Sequence, residues 1–226
     1  MTSHPVTSET ADAVARSLEG RMLLTHPFYQ RWEAGQLEKA ELAEYAVHYR
    51  AFEAALPAVL TAVASELRVD GADDAAALVE GNLADELGRP EAHLGLFDRF
   101  ADSVGPAIAT RPGPAADALV QTYFDLVAEG PVMALAGLAA YETQASAIAS
   151  SKADGLRRWY GTPPEGTEFW DVHAQIDAEH GEWAVAALEL LGADAEVVAE
   201  AARRGADAWW ALLDERQAEA PALAVC

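Results

Sequence analysis

Apolar residues recur every three to four positions along most of the chain, a spacing typical of amphipathic helices. Turns that contain Gly or Pro, such as Asp70-Gly71 and Gly161-Thr-Pro-Pro164, separate the periodic segments. The segments expected to be helical are 7–24, 38–67, 73–87, 91–104, 115–128, 132–151, 169–191 and 196–216. Pro57 is expected to kink or break the second of them. Because no pair of strands with a hairpin signal is found, the pattern predicts an all-α fold, one bundle of about seven to eight helices over residues 1–226.

The composition limits the classes of partner. The chain has 226 residues, of which 51% are hydrophobic, a net charge of −22 and a pI of about 4.4. With 37 acidic against 15 basic residues, it lacks the positive surface with which proteins bind nucleic acid or anionic membranes. No apolar run approaches the ~20 residues that span a bilayer, and the N-terminus lacks the features of a signal peptide. We therefore expect a cytoplasmic protein with neither nucleic-acid nor membrane partners.

The segment EFWDVHAQIDAEH, in the predicted helix 169–191, holds the most informative polar residues. His173, Asp177 and His180 follow an i, i+4, i+7 spacing, which places all three on one helical face. Two imidazoles and a carboxylate are ligands that suit iron or manganese. The other interpretation is that these residues belong to the solvated face of an acidic helix.

Two further segments add acidic and imidazole side chains. In NLADELGRPEAH, Glu86 precedes His93 by seven residues, and the Gly and Pro between them are expected to distort or interrupt the helix. Such a break could turn His93 towards a shared site, or it could be a plain corner. Glu142 is the only charged residue in the apolar segment 131–151. A buried acid there would need a partner or a cation, whereas an acid at the edge would contact solvent.

Together these segments provide three carboxylates and three imidazoles on three or more helices, as a two-metal, O2-activating site in a helical bundle requires. The candidate metal ligands are Glu86, His93, Glu142, His173, Asp177 and His180. The usual di-iron bundle has a Glu-x-x-His pair on each of two helices, and neither glutamate here has a histidine three residues later. The spacing E-x6-H, E, H-x3-D-x2-H is therefore a different pattern.

This pattern resembles the haem-oxygenase-like dimetal oxidases, which have the haem oxygenase fold and bind two metals instead of haem. Within that family the chain looks most like the branch of the chlamydial protein associating with death domains, whose members supply para-aminobenzoate for folate synthesis. The similarity extends from HPFYQRWEAGQL through NLADELGRPEAH and YETQASAIASSK to HAQIDAEH. It implies a haem-oxygenase-like helical bundle in which the six candidate residues are the metal ligands.

The resemblance also implies roles for three residues outside the ligand set. Tyr29, in HPFYQRW, matches the tyrosine that is the sacrificed source of the aromatic ring in the aminobenzoate branch. Lys152 matches the lysine implicated as amino donor, and Tyr141 matches a tyrosine that precedes the middle glutamate. Read without the family, Tyr29 could be an ordinary packing residue, and Lys152 could complement a helix dipole.

Three aromatic positions depart from the branch. The chain has Phe169 and Arg50 where the chlamydial protein has tyrosines, and Phe52 where it has a histidine. These differences alter the aromatic surroundings expected for the site and leave the ligand pattern intact.

The activity implied by the resemblance is that of a non-haem dimetal oxygenase that makes para-aminobenzoate from its own Tyr29, once per chain, with Lys152 giving the nitrogen. Its cofactors would be two divalent metals, Fe/Fe or Fe/Mn, with O2 and an external reductant as co-substrates. A homodimer and an external electron donor are the expected partners. Two alternatives stay open: a multiple-turnover oxygenase or desaturase acting on an amino acid or fatty acid, and a metal-free binding or regulatory protein of the same fold.

The remaining histidines and the cysteine are assigned no chemistry. His26 and His48 are expected to be structural, and His4 to lie in a frayed terminus. The pair Trp209–Trp210 is expected in the core or at a dimer interface. The only cysteine, Cys226, is the last residue, which excludes a disulfide framework, a CxxC metal site and the internal cysteine that thiamine-degrading relatives of the fold use.

Overall fold

The computed structural model describes residues 8–88 and 91–223, and their side chains except those of 176–181 and 220–223. Across these residues the chain forms nine α-helices and no strand. The helices are α1 Glu9–Ser17, α2 Pro27–Glu33, α3 Lys39–Val69, α4 Asp73–Glu86, α5 His93–Val104, α6 Pro114–Glu129, α7 Pro131–Gly155, α8 Pro164–Leu190 and α9 Ala195–Leu223. The prediction of an all-α bundle is confirmed, with more helices than the seven to eight expected.

The helix that the periodicity did not predict is α2. The predicted segment 7–24 ends early, because α1 stops at Ser17 and a short 3₁₀ turn, Leu23–Thr25, follows it. α2 then begins at Pro27, whose fixed φ suits the first helical position, and His26 caps it by accepting a hydrogen bond from the Phe28 amide. Seven residues are too few for a periodic signal.

Pro57 does not break its helix, because α3 continues from Lys39 to Val69 with the proline inside it. The expectation of a break is therefore wrong. Buried apolar residues lie on both sides of the proline, from Leu42 to Leu67, so tertiary packing holds the two halves in one helix.

The helices that carry the candidate site pack closely in the bundle. α4 and α5 each pack against α3 and α8, and α7 packs against α8 and α9. Small residues permit the approach of α7 to α9, since a Cβ on Gly205 would lie 2.7 Å from the Gly137 carbonyl oxygen. This arrangement brings side chains of four helices, α3, α4, α5 and α8, to one buried place.

Candidate metal centre and buried lysine cluster

Glu86 and His93 lie on the two sides of a sharp corner. Glu86 is the last residue of α4 and His93 the first of α5, and both side chains are buried. Gly88 makes the corner with a φ of +84°, and a Cβ on it would lie 1.9 Å from the Glu91 carbonyl carbon. The corner turns His93 back, so that its Nδ1 is 3.2 Å from Glu86 Oε1. Of the two sequence interpretations, the one that turns His93 towards a shared site therefore agrees with the structure.

His173 reaches this pair from α8. Its ring centroid lies 4.6 Å from that of His93 in an edge-on arrangement. His173 Nδ1 is 2.7 Å from the Phe169 carbonyl oxygen. Because a carbonyl oxygen only accepts, Nδ1 carries the proton, and a neutral ring then has its lone pair on Nε2. A hydrogen bond of this kind is how proteins orient metal-binding histidines.

A fourth side chain at this place was not predicted from the sequence. Glu53 of α3 is 3% exposed and belongs to a group of four residues whose donor atoms all lie within 4.8 Å of one another. This four-residue cluster consists of Glu53, Glu86, His93 and His173. The register of α3 could have revealed Glu53, since it follows Tyr45 and Tyr49 at spacings of eight and four on a buried helical face.

The four-residue cluster has the chemistry of a site for a first-row metal ion. Mixed carboxylate and imidazole ligands suit divalent iron and manganese. All four residues are buried or half-buried, and a cation bound between the two carboxylates would offset the loss of water around their charges. The donor set therefore fits a cation, which Glu53 and Glu86 would contact through oxygen and the two histidines through nitrogen.

Of the other three predicted ligands, only Glu142 has a described side chain, and it is not a member of the four-residue cluster. Glu142 is buried on α7, where its charge acts with burial, the larger cause, to raise the pKa of Tyr123. The side chains of Asp177 and His180 lie outside the described residues. Ligation by these three residues stays a prediction.

Lys152 of α7 lies nearby in an enclosure of aromatic rings. It is 2% exposed, and its Nζ is 4.1 to 5.7 Å from the centroids of five rings. These rings belong to Tyr29, Trp32, Tyr45, Tyr49 and Trp170. Lys152 Nζ donates to the Tyr45 hydroxyl at 2.5 Å, and the Tyr45 and Tyr29 hydroxyls share a hydrogen bond of 2.7 Å. The structure thus brings the predicted pair Tyr29 and Lys152 into one lysine–tyrosine cluster, with Tyr45 as its third member.

Burial governs protonation in the lysine–tyrosine cluster. Loss of water lowers the pKa of Lys152 well below its usual 10.5, and the charge of Glu53, which acts in the opposite direction, is the smaller effect. Burial also raises the pKa of Tyr29 well above its usual 10, against the opposing hydrogen bond from Tyr45. The cluster therefore favours a neutral amine beside a protonated phenol, and a neutral amine is nucleophilic.

Two rings connect the lysine–tyrosine cluster to the four-residue cluster. The Tyr49 ring centroid is 4.9 Å from Lys152 Nζ and 6.3 Å from the Phe169 ring centroid. The Phe169 ring in turn lies 4.0 Å from the His173 ring, centroid to centroid. Phe169, one of the departures from the aminobenzoate branch, fills this interval without a hydroxyl group.

Tyr141 joins the same network on the side of Tyr49. The two hydroxyls are 2.7 Å apart, and the Tyr141 ring stacks on Trp209 with centroids 4.3 Å apart. All three residues predicted to be catalytic thus lie in or beside one buried aromatic network.

The histidines expected to be structural hold backbone groups. His26 caps α2 and places Nε2 3.0 Å from Asp214 Oδ1, and His48 Nδ1 accepts from the Gly113 amide at 3.0 Å. Trp209 is fully buried, which agrees with a core position. His4 and Cys226 lie outside the described residues.

Comparison with known proteins places the chain in a family. Residues 43–210 match a family described as iron-containing redox enzymes. The chain belongs to this family. The match includes the four-residue cluster and Lys152, and it begins after Tyr29. Membership identifies the chain as a redox enzyme and agrees with iron-binding ligands in the bundle.

Curated relatives are similar over most of their length. A 4-aminobenzoate synthase of Nitrosomonas europaea is 35% identical over 214 residues, which cover 87% of this chain and 86% of that protein. A 4-aminobenzoate synthase of Chlamydia muridarum is 30% identical over 214 residues, covering 90% of this chain and 88% of that protein.

Solved structures confirm the fold. A protein with a haem oxygenase-like fold from Shewanella denitrificans superposes with a TM-score of 0.75 at 19% identity, covering 95% of this chain and 94% of that chain. A CADD-like protein of unknown function from Nostoc punctiforme gives a TM-score of 0.71 at 19% identity, covering 92% of this chain and 99% of that chain. Among the helices of the described residues, none has the length and apolar character that crossing a membrane requires.

Proposed function

We propose that this chain is a 4-aminobenzoate synthase that consumes its own Tyr29, with Lys152 as the nitrogen donor. The observation that carries the proposal is the position of Lys152 Nζ, 4.5 Å from the centre of the Tyr29 ring inside a buried enclosure. The relatives from Nitrosomonas europaea and Chlamydia muridarum support the same activity through their names.

The tyrosine ring already has the substitution pattern of the product. Both are benzene rings with two substituents para to each other. Conversion requires that a bond from Lys152 Nζ to the ring carbon replaces the bond from that carbon to the hydroxyl oxygen, which leaves as water, and that the Nζ–Cε bond of Lys152 then breaks. It also requires oxidation of the Cβ methylene to a carboxyl group, with cleavage of the bond between Cα and Cβ and O2 as the oxidant. A chain that has lost the Tyr29 ring cannot react again, so the proposal implies a single turnover.

The residues around the ring have separate tasks in this proposal. Lys152, held as a neutral amine by burial, has the lone pair from which a carbon–nitrogen bond can form. Tyr45 is hydrogen-bonded to both Lys152 and Tyr29, so it orients the amine against the ring and can carry a proton between them. Trp32 and Trp170, both about 1% exposed, exclude water from the enclosure.

The metals belong at the four-residue cluster. Glu86, His93 and His173 come from the predicted ligand set, and Glu142, Asp177 and His180 complete it in the proposal. Bound iron, or iron with manganese, would activate O2 as the oxidant, and an external reductant would supply electrons. A homodimer and an external electron donor are part of the proposal.

The lysine content of the chain makes a sharp isotope experiment possible. Lys39 and Lys152 are the only two lysines. Chain produced with lysine labelled by ¹⁵N at Nζ, in a Lys39→Arg background, therefore carries a single labelled amine. After loading with Fe(II), with and without Mn(II), and addition of O2 and reductant, we expect ¹⁵N in the released 4-aminobenzoate and a mass loss in the Tyr29 peptide.

Two tyrosine variants provide the matched control. Tyr29→Phe should abolish the product. Tyr123→Phe removes a buried hydroxyl that donates to the Gly137 carbonyl oxygen away from the lysine, and it should leave the yield intact. Consumption of O2 with an unmodified Tyr29 would contradict the proposal and favour the multiple-turnover oxygenase. A metal content near zero, unchanged in His173→Ala, would favour a metal-free binding protein.

A further inference from the structure

The four-residue cluster contains one side chain, Glu53, that the six-ligand pattern does not include. We propose that Glu53 is a metal ligand and that, through it, helix α3 transmits metal binding to the lysine–tyrosine cluster. This inference rests on the metal centre of the proposed function, and it adds a ligand and a physical connection that the family pattern lacks.

The position of Glu53 satisfies the requirements of a ligand. One of its carboxylate oxygens lies within 4.8 Å of donor atoms of Glu86, His93 and His173, a separation that a single ion can bridge by contacting each of them. The side chain is 3% exposed, on a helix that packs against α4 and α5, which carry Glu86 and His93. An ionised carboxylate at such a place is stabilised by a cation.

The register of α3 connects this ligand to the lysine. Tyr45, Tyr49 and Glu53 follow one another at intervals of four residues, so they form a single stripe along the helix. Tyr45 accepts the hydrogen bond of Lys152, and the Tyr49 ring centroid lies 4.9 Å from the same nitrogen. A force or a displacement at Glu53 therefore acts on the helix that positions the amine.

Glu53 also acts on the lysine through its charge. Its carboxylate favours the ammonium form of Lys152, in opposition to the larger effect of burial. A carboxylate bound to a divalent cation no longer presents a net negative charge to its surroundings. Metal binding at Glu53 therefore removes support for the ammonium form and favours the amine that the proposed bond formation requires.

Metal titration tests the ligand assignment without reference to activity. Co(II) is titrated into the full chain and followed by its visible absorption, with total metal measured after dialysis. Glu53→Gln preserves the size of the side chain and removes its charge. We expect its affinity for the metal to fall by about tenfold or more, with a changed Co(II) spectrum, and Glu53→Asp to recover part of the loss.

Glu44→Gln is the matched control for this titration. Glu44 is a second buried glutamate of α3, and it accepts hydrogen bonds from the amides of Ile108 and Ala109. This variant should bind Co(II) as the unchanged chain does. Circular dichroism of each variant verifies the fold. Wild-type affinity and spectrum in a folded Glu53→Gln protein would overturn the ligand assignment.

NMR of Lys152 tests the connection. In the Lys39→Arg background the Cε resonance of the remaining lysine reports its protonation and surroundings. We expect loading with diamagnetic Zn(II), which also binds carboxylate and imidazole ligands, to shift this resonance in the parent chain and to leave it nearly unmoved in Glu53→Gln at saturating metal. Equal shifts in the two proteins would overturn the connection.

The outcomes separate the inference from the proposed function. If the unchanged chain makes 4-aminobenzoate and binds metal, and Glu53→Gln binds it equally well, only the inference fails. If the unchanged chain binds no metal, the proposed function fails and the role of Glu53 fails with it.

Discussion

The two buried clusters differ in the charge that their surroundings favour. In the four-residue cluster, carboxylates and imidazoles converge from four helices, and their donor atoms lie within 4.8 Å of one another. In the lysine–tyrosine cluster, one amine lies among five rings, and burial lowers its pKa. Burial of two carboxylates in the first cluster favours a bound cation, whereas burial of the amine in the second favours its neutral form.

This difference favours metal binding at the four-residue cluster and bond formation at the lysine–tyrosine cluster. A site that concentrates ligand atoms is suited to hold a metal, while an amine deprived of its proton is suited to form a bond. The clusters are neighbours, since the path from Lys152 to His173 through Tyr49 and Phe169 crosses two rings. Variants that affect one cluster and spare the other can test this assignment.

The largest effect is expected from His93→Ala. The change removes a proposed ligand, the imidazole whose Nδ1 lies 3.2 Å from Glu86 Oε1. We expect loss of most bound iron, measured by elemental analysis, and loss of detectable 4-aminobenzoate, measured by mass spectrometry. His48→Ala is the control, because His48 holds the Gly113 amide and should affect stability without affecting metal content. Equal metal loss in both variants would contradict the assignment of the cluster.

Lys152→Met should affect the lysine–tyrosine cluster and leave metal binding at the four-residue cluster unchanged. Methionine fills a similar volume without an amine, so the variant should keep its metal and release no product. Because a buried amine is costly, we expect the free energy of unfolding at pH 7 to rise by about 1–3 kcal/mol, measured by denaturant titration. Loss of metal together with the product would show that the lysine supports the metal site directly.

The pH dependence of stability provides a third test, on the lysine alone. The pKa of Lys152 is lowered in the folded chain, whereas in the unfolded chain it is close to 10.5. Between these two values the unfolded state binds one more proton, so the free energy of unfolding rises with pH, by at most ~1.4 kcal/mol per pH unit. The stability deficit of the unchanged chain relative to Lys152→Met should shrink from pH 7 to 9.5. A constant difference would mean that the amine stays charged in the fold.

The smallest effect is expected from Tyr45→Phe. This change removes the hydroxyl shared by Lys152 and Tyr29 and leaves the ring in place. We expect a loss of about 1–3 kcal/mol in unfolding free energy, unchanged metal content and a product yield reduced several-fold. Full yield would show that the rings alone orient the amine.

Much of the fold was predictable because helical periodicity is a local property of the chain. The interruption between α4 and α5 was also predictable, since a Gly and a Pro lie between Glu86 and His93, and the structure gives Gly88 a φ of +84°, which glycine adopts readily. α2 was missed because it is short, and the continuity of α3 through Pro57 depends on packing that periodicity does not contain.

The candidate site was predictable in part. His173 was found from its spacing to Asp177 and His180 on one helix, which is again local. Glu53 was missed because it is one of 37 acidic residues, and the register that aligns it with Tyr45 and Tyr49 does not show which helices that face of α3 packs against. Its distance to His93 and His173 depends on how α3 lies against the other helices.

The sequence by itself predicted an all-α chain, candidate metal ligands on one helix face that includes His173, and a resemblance that singled out Tyr29 and Lys152. Tertiary structure alone decided that Glu53 joins the four-residue cluster and that Lys152 lies 4.5 Å from the centre of the Tyr29 ring. The physical reason is the distance along the chain over which each interaction acts. Helical propensity, turns and spacing act over a few residues, whereas burial, and with it the lowered pKa of Lys152, arises only when distant helices exclude water together.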